Sequence, residues 1–536
     1  MKNEKGSALL TVMLMILIFT ILGVTLLSIS ISGAKRTEIR KSEVEDNTVA
    51  LTNLKEGVAR IENFVALNKN LSSISINEYN VLITNFLDSV NDKNLSYDIS
   101  NISSSDEFKD KIGTSQTRVL QVKSGSYSQN VFITAMPSFL KYALGSRETL
   151  TLNGSIAIDG DIYAKDQLNI SNYANYIYKS KKFSQKTELP LFINLKKDDK
   201  DRGIPKIGKI SLETNKANYC ANETSCYNTD DLNMEINNWQ PITNFQEVFS
   251  AGTPVSFVDP IQYVDVNLYE TFIDKLGVNG FIKGDFDSVT NREMMQAKMT
   301  EASSNVIGLK NITSFKDIHD DKSKAETYYY EGEDAYIDTN DLSLSQNDWL
   351  IINGNAIFEN SGNDKMNVNA NILITGNVTI KGEVSFQSVM YSLGESTILN
   401  NVNITNSDSK NDSTFILLTD GKLEIARINK FSDWSKDTNI INGFIYTTKS
   451  AEVYGVGSLI NVNGGIFSNN DLTVNGFRGD AQAGESELQL TVKDSNDLLA
   501  SRLKVKNDKK LFLDQLDALP KVDQLEVIPD RIEKVK

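Results

Sequence analysis

Thiol and imidazole chemistry in this chain is confined to three residues: Cys220, Cys226 and the lone histidine, His319. In an exported chain the two cysteines would close a small disulfide, worth roughly 2 kcal/mol on the loop-entropy model. The alternative is two free thiols. A metal pair would need further ligands, and no other Cys or His lies near them. His319 sits in the charged stretch Asp317–Asp321 and reads as surface. Any mechanism that needs two histidines is closed. Asp159 with Asp161, and Asp198 to Asp201, are calcium contacts at best. They fit no EF-hand spacing, and solvated loop acids are the simpler reading. A solenoid enzyme acting on acidic polysaccharides could work through Asp pairs with Lys or Arg, but no tight carboxylate constellation points there. The expectation is a chain with no catalytic residues, no metal and no cofactor. The net charge of −15 also disfavours nucleic acid as a partner of the head, since phosphate contacts need clustered Lys and Arg.

The element that dominates the chain is a run of 27 uncharged residues, Ser7 to Gly33, behind a six-residue leader, Met1 to Gly6. As a helix it would be about 40 Å long, more than one bilayer core. Fifteen of its residues are Leu, Ile, Val or Phe, each contributing about −0.3 to −0.6 kcal/mol at the membrane centre. Leu9, Leu10, Leu14, Leu17, Phe19 and Leu22 are the expected packing positions in lipid. A secretory signal has a shorter apolar core, and a plain signal anchor would be a permanent span. Beyond the run, Val44, Leu51, Leu54, Val58, Ile61 and Val65 fall on one helical stripe. One long helix to about residue 67 is predicted, interrupted in quality only by Gly57.

Lys5-Gly6-Ser7, an apolar run and then a charged amphipathic helix together resemble the class III signal of type IV prepilins. The resemblance covers about the first 65 residues and looks closest to the PilX-type minor pilin N-terminal domain. It implies cleavage after Gly6 by a prepilin peptidase and methylation of Ser7. The fifth mature position, where major pilins carry Glu, is Thr11 here. A hydroxyl does not neutralise an ammonium in a low-dielectric core, so the resemblance implies a minor subunit or pseudopilin. Lys35, Arg36, Arg40 and Lys41 follow the span while only Lys2 and Lys5 precede it. Taken alone, that favours a cytoplasmic C-terminus. The short leader, the exported character of the body and the basic flanks of pilins argue for the opposite topology.

Thr117 to Val122 and Asn130 to Ala135 flank Lys123 to Gln129 as a strand–turn–strand pair able to pack on the helix. Further on, a six-residue frame, apolar-x-apolar-x-Gly-x, recurs. It runs from Leu150 through Gly154 and Gly160 to Ile162, and from Ile372 through Gly376 and Gly382 to Phe386. It returns at Leu350–Gly354, Ile460–Gly464 and Leu472–Gly476. Alternation puts apolar side chains on one strand face, and Gly permits a corner with φ > 0. Gly354 to Gly376 and Gly443 to Gly464 are plausible coil lengths, so stacked coils, a β-solenoid, are expected. Hairpins in a sandwich are the alternative.

The expected fold is α+β, mostly β. It divides into a leader (1–6), a transmembrane helix (7–33), its amphipathic continuation (34–67), a small pilin-like α/β head (68–145) and a β-solenoid-like body (146–480). The body carries an inserted subdomain at about 171–345, and a C-terminal cap or tail follows (481–536). The expected function is non-catalytic: a single-pass prepilin-like protein in the cell membrane, N-terminus cytoplasmic and body extracellular. It would join or prime a type IV pilus-like fibre, with lipid, prepilin peptidase and other pilin-like subunits as partners. An uncleaved surface adhesin or scaffold is the first alternative, and an anchored polysaccharide-processing solenoid enzyme the second.

Overall fold

The computed structural model describes residues 4–68, 76–91, 95–112, 117–196, 200–214, 216–220, 238–258, 265–315, 318, 326–338, 341–343, 348–360, 366–382, 384–399, 414–425, 431, 433–435, 440–493, 497–508, 518–520, 522 and 525–535. The chain is mostly β with one long apolar N-terminal helix. It forms two compact units. The first is Met1–Asp110 with Gln116–Thr134 and Val527–Lys536; the second is Lys111–Ser115 with Ala135–Glu526.

In the first unit, helix α1 runs without a break from Glu4 to Leu67. Its second half buries Ala50, Leu54, Val58, Ile61 and Val65 against the strands Arg118–Ser124 and Tyr127–Thr134. The stripe begins later than its spacing predicts, because Val44 is 64 % exposed and Leu51 half-buried. Gly57, the weak point of the pattern, has a steric reason. A Cβ there would stand 2.5 Å from Val122 Cγ1, so only a bare Cα lets the sheet approach. The two strands are antiparallel and meet in a tight turn at Gly125, φ +53°, shorter than the seven-residue turn expected. Helix α2, Ile76–Asn91, stacks Phe86 on Phe64 of α1 with ring centroids 4.4 Å apart.

The sheet's fourth strand comes from the far end of the chain. Glu526–Lys534 lies beside Tyr127–Thr134 as an edge strand. It runs antiparallel, since Val535 N donates to Ser126 O at 2.8 Å and Gln129 Nε2 to Asp530 O at 2.7 Å. Pro529, which has no N–H, is acceptable only on such an edge. The first unit thus ends at Thr134 rather than at the expected head boundary of 145, and it takes in Val527–Lys536 from the expected cap or tail. A nine-residue strand with Pro inside gives no alternating signal strong enough to find.

The second unit is a stack of parallel strands. One column of laterally paired residues passes through it: Ile312, Tyr330, Ile352, Ile374, Ser392, Thr419, Thr447, Ser468, Ser146, Ala164, Leu212 and Val258. The chain enters at Ser146, inside the stack. It builds outwards to Val258, crosses to Ile312 at the opposite end, and winds back until Ser468 lies against Ser146. Repeats distant in sequence thus become neighbours: Leu150 pairs with Leu472, Leu152 with Val474 and Gly154 with Gly476. Leu503–Lys506 fits between Ile460–Asn463 and Ile156–Asp159, so this part of the tail is a rung of the stack.

The region 171–345 is not a single insertion outside the repeat. Ile207–Leu212, Ala217–Cys220, Thr253–Val258 and Thr327–Ile337 are all parallel rungs. The first three do not follow the apolar-x-apolar-x-Gly frame, and Thr327–Ile337 keeps a corner glycine, Gly332, but has tyrosines where the frame has aliphatic residues, which hides them from a period search. The helices Leu268–Val278 and Arg292–Ser303 lie in the link between the two ends.

Inward side chains such as Leu150, Ile158, Ile352, Ile374, Leu417 and Val474 are fully buried in one continuous core. At the corners, Asn side chains bridge successive rungs: Asn153 to Asn475 at 3.1 Å, Asn463 to Asn442 at 3.0 Å and Asn218 to Asn169 at 3.1 Å. The corner glycines divide into two kinds. Gly154, Gly354, Gly382 and Gly464 have positive φ as expected; Gly160, Gly376, Gly443 and Gly476 do not. The latter answer to close approach, since a Cβ at Gly376 would lie 2.5 Å from Gly354 O and one at Gly443 only 1.5 Å from Phe415 O.

Candidate functional site

The residues expected to carry function lie in the first half of α1. Gly6 and Ser7 fall in the first described turn of the helix. Leu10, Leu14, Leu17, Phe19 and Leu22 are each 51–70 % exposed. Leu10, Leu14 and Leu17 share one face, whereas Phe19 points to the opposite one. The segment is therefore apolar all round, the pattern of a span rather than of a surface helix. Leu9 lies in the same helix. Among the described residues this is the one helix long and apolar enough to cross a membrane.

Two hydroxyls inside the run, those of Thr20 and Thr25, are consumed locally. Thr20 Oγ1 donates to Ile16 O at 2.7 Å and Thr25 Oγ1 to Ile21 O at 2.6 Å. An apolar surrounding therefore leaves neither unsatisfied. Gly23 and Gly33 have open space where a side chain would stand. Just beyond the span, Lys41 and Glu45 approach to 3.8 Å on an exposed face. Farther along, Arg60 Nη2 donates to Glu56 Oε1 at 2.8 Å, and Tyr97 Oη to the same oxygen at 3.3 Å, joining helix and sheet edge. The hydrogen bond from Arg60 holds the Glu56 carboxyl below its usual range.

The remaining candidates are scattered. Cys220 ends the strand Ala217–Cys220, is buried and is held in a disulfide; Cys226 lies outside the described residues, as does His319. Asp159 is not a solvated loop acid. It is fully buried, with Lys206 Nζ 2.5 Å from Oδ1 and Leu195 N 2.8 Å from Oδ2. A lysine thus occupies the place a calcium ion would take. Asp198 lies outside the described residues. The sequence missed this ion pair because its partners come from different rungs.

No family model matches the chain, and no curated protein does. Among solved structures, the competence-associated pilin ComZ from Thermus thermophilus aligns over 82 % of this chain and 84 % of its own, at 10 % identity and a TM-score of 0.26. That score is too low to bear on fold or function.

Proposed function

We propose that this chain is a non-catalytic, prepilin-like membrane protein, a minor pilin or pseudopilin of PilX type, that carries its parallel-stranded body as an exported β-solenoid. The carrying observation is the single helix from Glu4 to Leu67, bare and apolar from Val12 through Ile31 and buried against a small sheet from Ala50 onward. In this reading the helix enters the membrane N-terminus inward, is cut after Gly6 and methylated at Ser7. It then packs beside other pilin-like helices in lipid, where van der Waals contact rather than the hydrophobic effect holds helices together. Because Thr20 and Thr25 bond to their own helix, contact would come from shape, with Gly23 the place where a neighbour approaches. Thr11 at the fifth mature position suits a subunit that joins the fibre sparingly.

The test is the mass of the intact chain purified from a cell with an active prepilin peptidase. A chain beginning at N-methylated Ser7 is expected. A chain that keeps Met1 would make the helix a plain anchor and the protein a surface adhesin or scaffold; a cut beyond residue 30 would make the run a secretory signal. Either result ends the prepilin reading.

A further inference from the structure

The body has a polar groove with a ready set of hydrogen-bonding groups. It measures about 480 Å³ and lies between the helix Arg292–Ser303 and the corner of the strands Thr327–Ile337 and Trp349–Glu359. That volume is in the range that holds a small ligand. Its floor is backbone, Gly332 and Gly354. A Cβ on Gly354 would stand 1.8 Å from Gly332 O, and the pairing between the two strands slips at Glu331 and Asp334 to form the corner.

The walls are held in place from behind. Asn353, only 7 % exposed, donates to Gln296 O at 3.0 Å and to Thr300 Oγ1 at 3.1 Å, while its own Oδ1 accepts from Thr375 at 3.1 Å. Thr300 Oγ1 donates to Glu331 Oε1 at 2.6 Å, and Arg292 Nη1 to Asn377 Oδ1 at 3.0 Å. With those groups engaged, the Gln296 amide and the Glu333 carboxylate line the groove with no hydrogen bond or ion pair to the described residues. Tyr330 Oη lies 2.9 Å from where a Gly332 Cβ would be and covers that glycine, its ring stacked on Phe315 at 5.1 Å.

Amide, carboxylate and guanidinium groups set side by side are complementary to hydroxyls, each of which both donates and accepts. Two carboxylates, Glu331 and Glu333, against one guanidinium leave the lining net negative, which repels acidic ligands. The polar walls give no purchase to an apolar one. We propose that this groove binds an oligosaccharide without acidic groups. The proposal does not depend on the fate of Gly6, and the two tests fail separately.

The test uses the full chain in a zwitterionic detergent, since sugar-headed detergents would compete. Calorimetric titration with cellotetraose, N-acetylchitotetraose, chitotetraose and tetragalacturonate is expected to show saturable binding of at least one of the first three, with Kd below about 1 mM. Tetragalacturonate should bind at least about tenfold more weakly. Gln296→Ala and Glu333→Gln should each weaken binding about five- to tenfold. Ala297→Trp, at an exposed position on the groove wall, should abolish it while the circular dichroism spectrum stays unchanged. The proposal is overturned by no saturable binding of any non-acidic probe up to about 10 mM. It is equally overturned by uronate binding as tight as the best probe, or by affinities that none of the three variants alters.

Discussion

Gly443→Ala tests whether the stack depends on close backbone approach at a corner glycine. The Cα of Gly443 pairs with Phe415 in the neighbouring rung, and an added methyl would sit 1.5 Å from Phe415 O. Ordinary contact begins near 3.4 Å, so the carbonyl must retreat by more than an ångström. It belongs to backbone and has no rotamer to escape into. Overpacking of this kind costs about 1–3 kcal/mol. Pulling Phe415 away also breaks about two ladder hydrogen bonds at roughly 1 kcal/mol each. The sum is about 3–5 kcal/mol. For a unit of about 390 residues, melting entropy scales to about 0.8 kcal/mol per degree, so the midpoint should fall by about 4–6 °C. Scanning calorimetry reads that shift, and hydrogen exchange should show Phe415–Thr419 losing protection first. Gly284→Ala is the control, since nothing lies within 4 Å of its Cβ position. A Gly443→Ala chain that melts within about 1 °C of the parent, with unchanged exchange at Phe415–Thr419, would refute the reasoning.

Two further outcomes are expected. Deleting residues 135–526 and joining Thr134 to Val527 by an Asn-Gly turn should leave the first unit folded, because the antiparallel register that pairs Ser126 with Val535 brings those ends together; a deletion chain whose amides exchange as fast as an unfolded peptide would disprove it. Burial pushes the phenols of Tyr176, Tyr269 and Tyr329 up to about 12, and those of Tyr391 and Tyr446 well above the usual value of 10. The folded state keeps these protons when the unfolded chain has shed them, so their contribution to stability is whole below about pH 10 and declines as pH climbs towards 12. Absorbance near 295 nm should show a late class of tyrosines whose ionisation coincides with unfolding, and a single step near pH 10 in a still-folded chain would contradict the burial.

The helix and its docking stripe were legible because Leu54, Val58, Ile61 and Val65 repeat at helical spacing in one short window. The repeat frame was legible at Leu150–Gly154 and Leu472–Gly476 as likeness; that these two segments touch was not, since nothing local records which coil neighbours which. Rungs such as Thr327–Ile337 escaped because tyrosines stand at the apolar positions before Gly332 and a bulge interrupts the frame there. The strand Glu526–Lys534 escaped because its partner is set by topology, not by its own pattern. The groove was invisible for a similar reason: Gln296, Glu333 and Asn353 come from three elements and share no spacing.

The column that runs from Ser468 to Ser146 has a consequence for the order of events during synthesis. Asn153 finds Asn475 across 322 residues of chain. A ribosome makes the rung 144–154 early, yet one of its faces stays uncovered until residues 460–506 have emerged. At the usual pace of elongation that interval lasts roughly 15–60 s. Throughout it, Leu144, Leu150, Leu152, Ile156 and Ile158 present a bare apolar edge. Whatever accompanies the emerging chain must shield that edge or postpone its collapse. Truncations anywhere between 260 and 500 should accordingly aggregate rather than fold as shorter stacks, so that the last rung acts as the closing clasp of a structure begun in its middle.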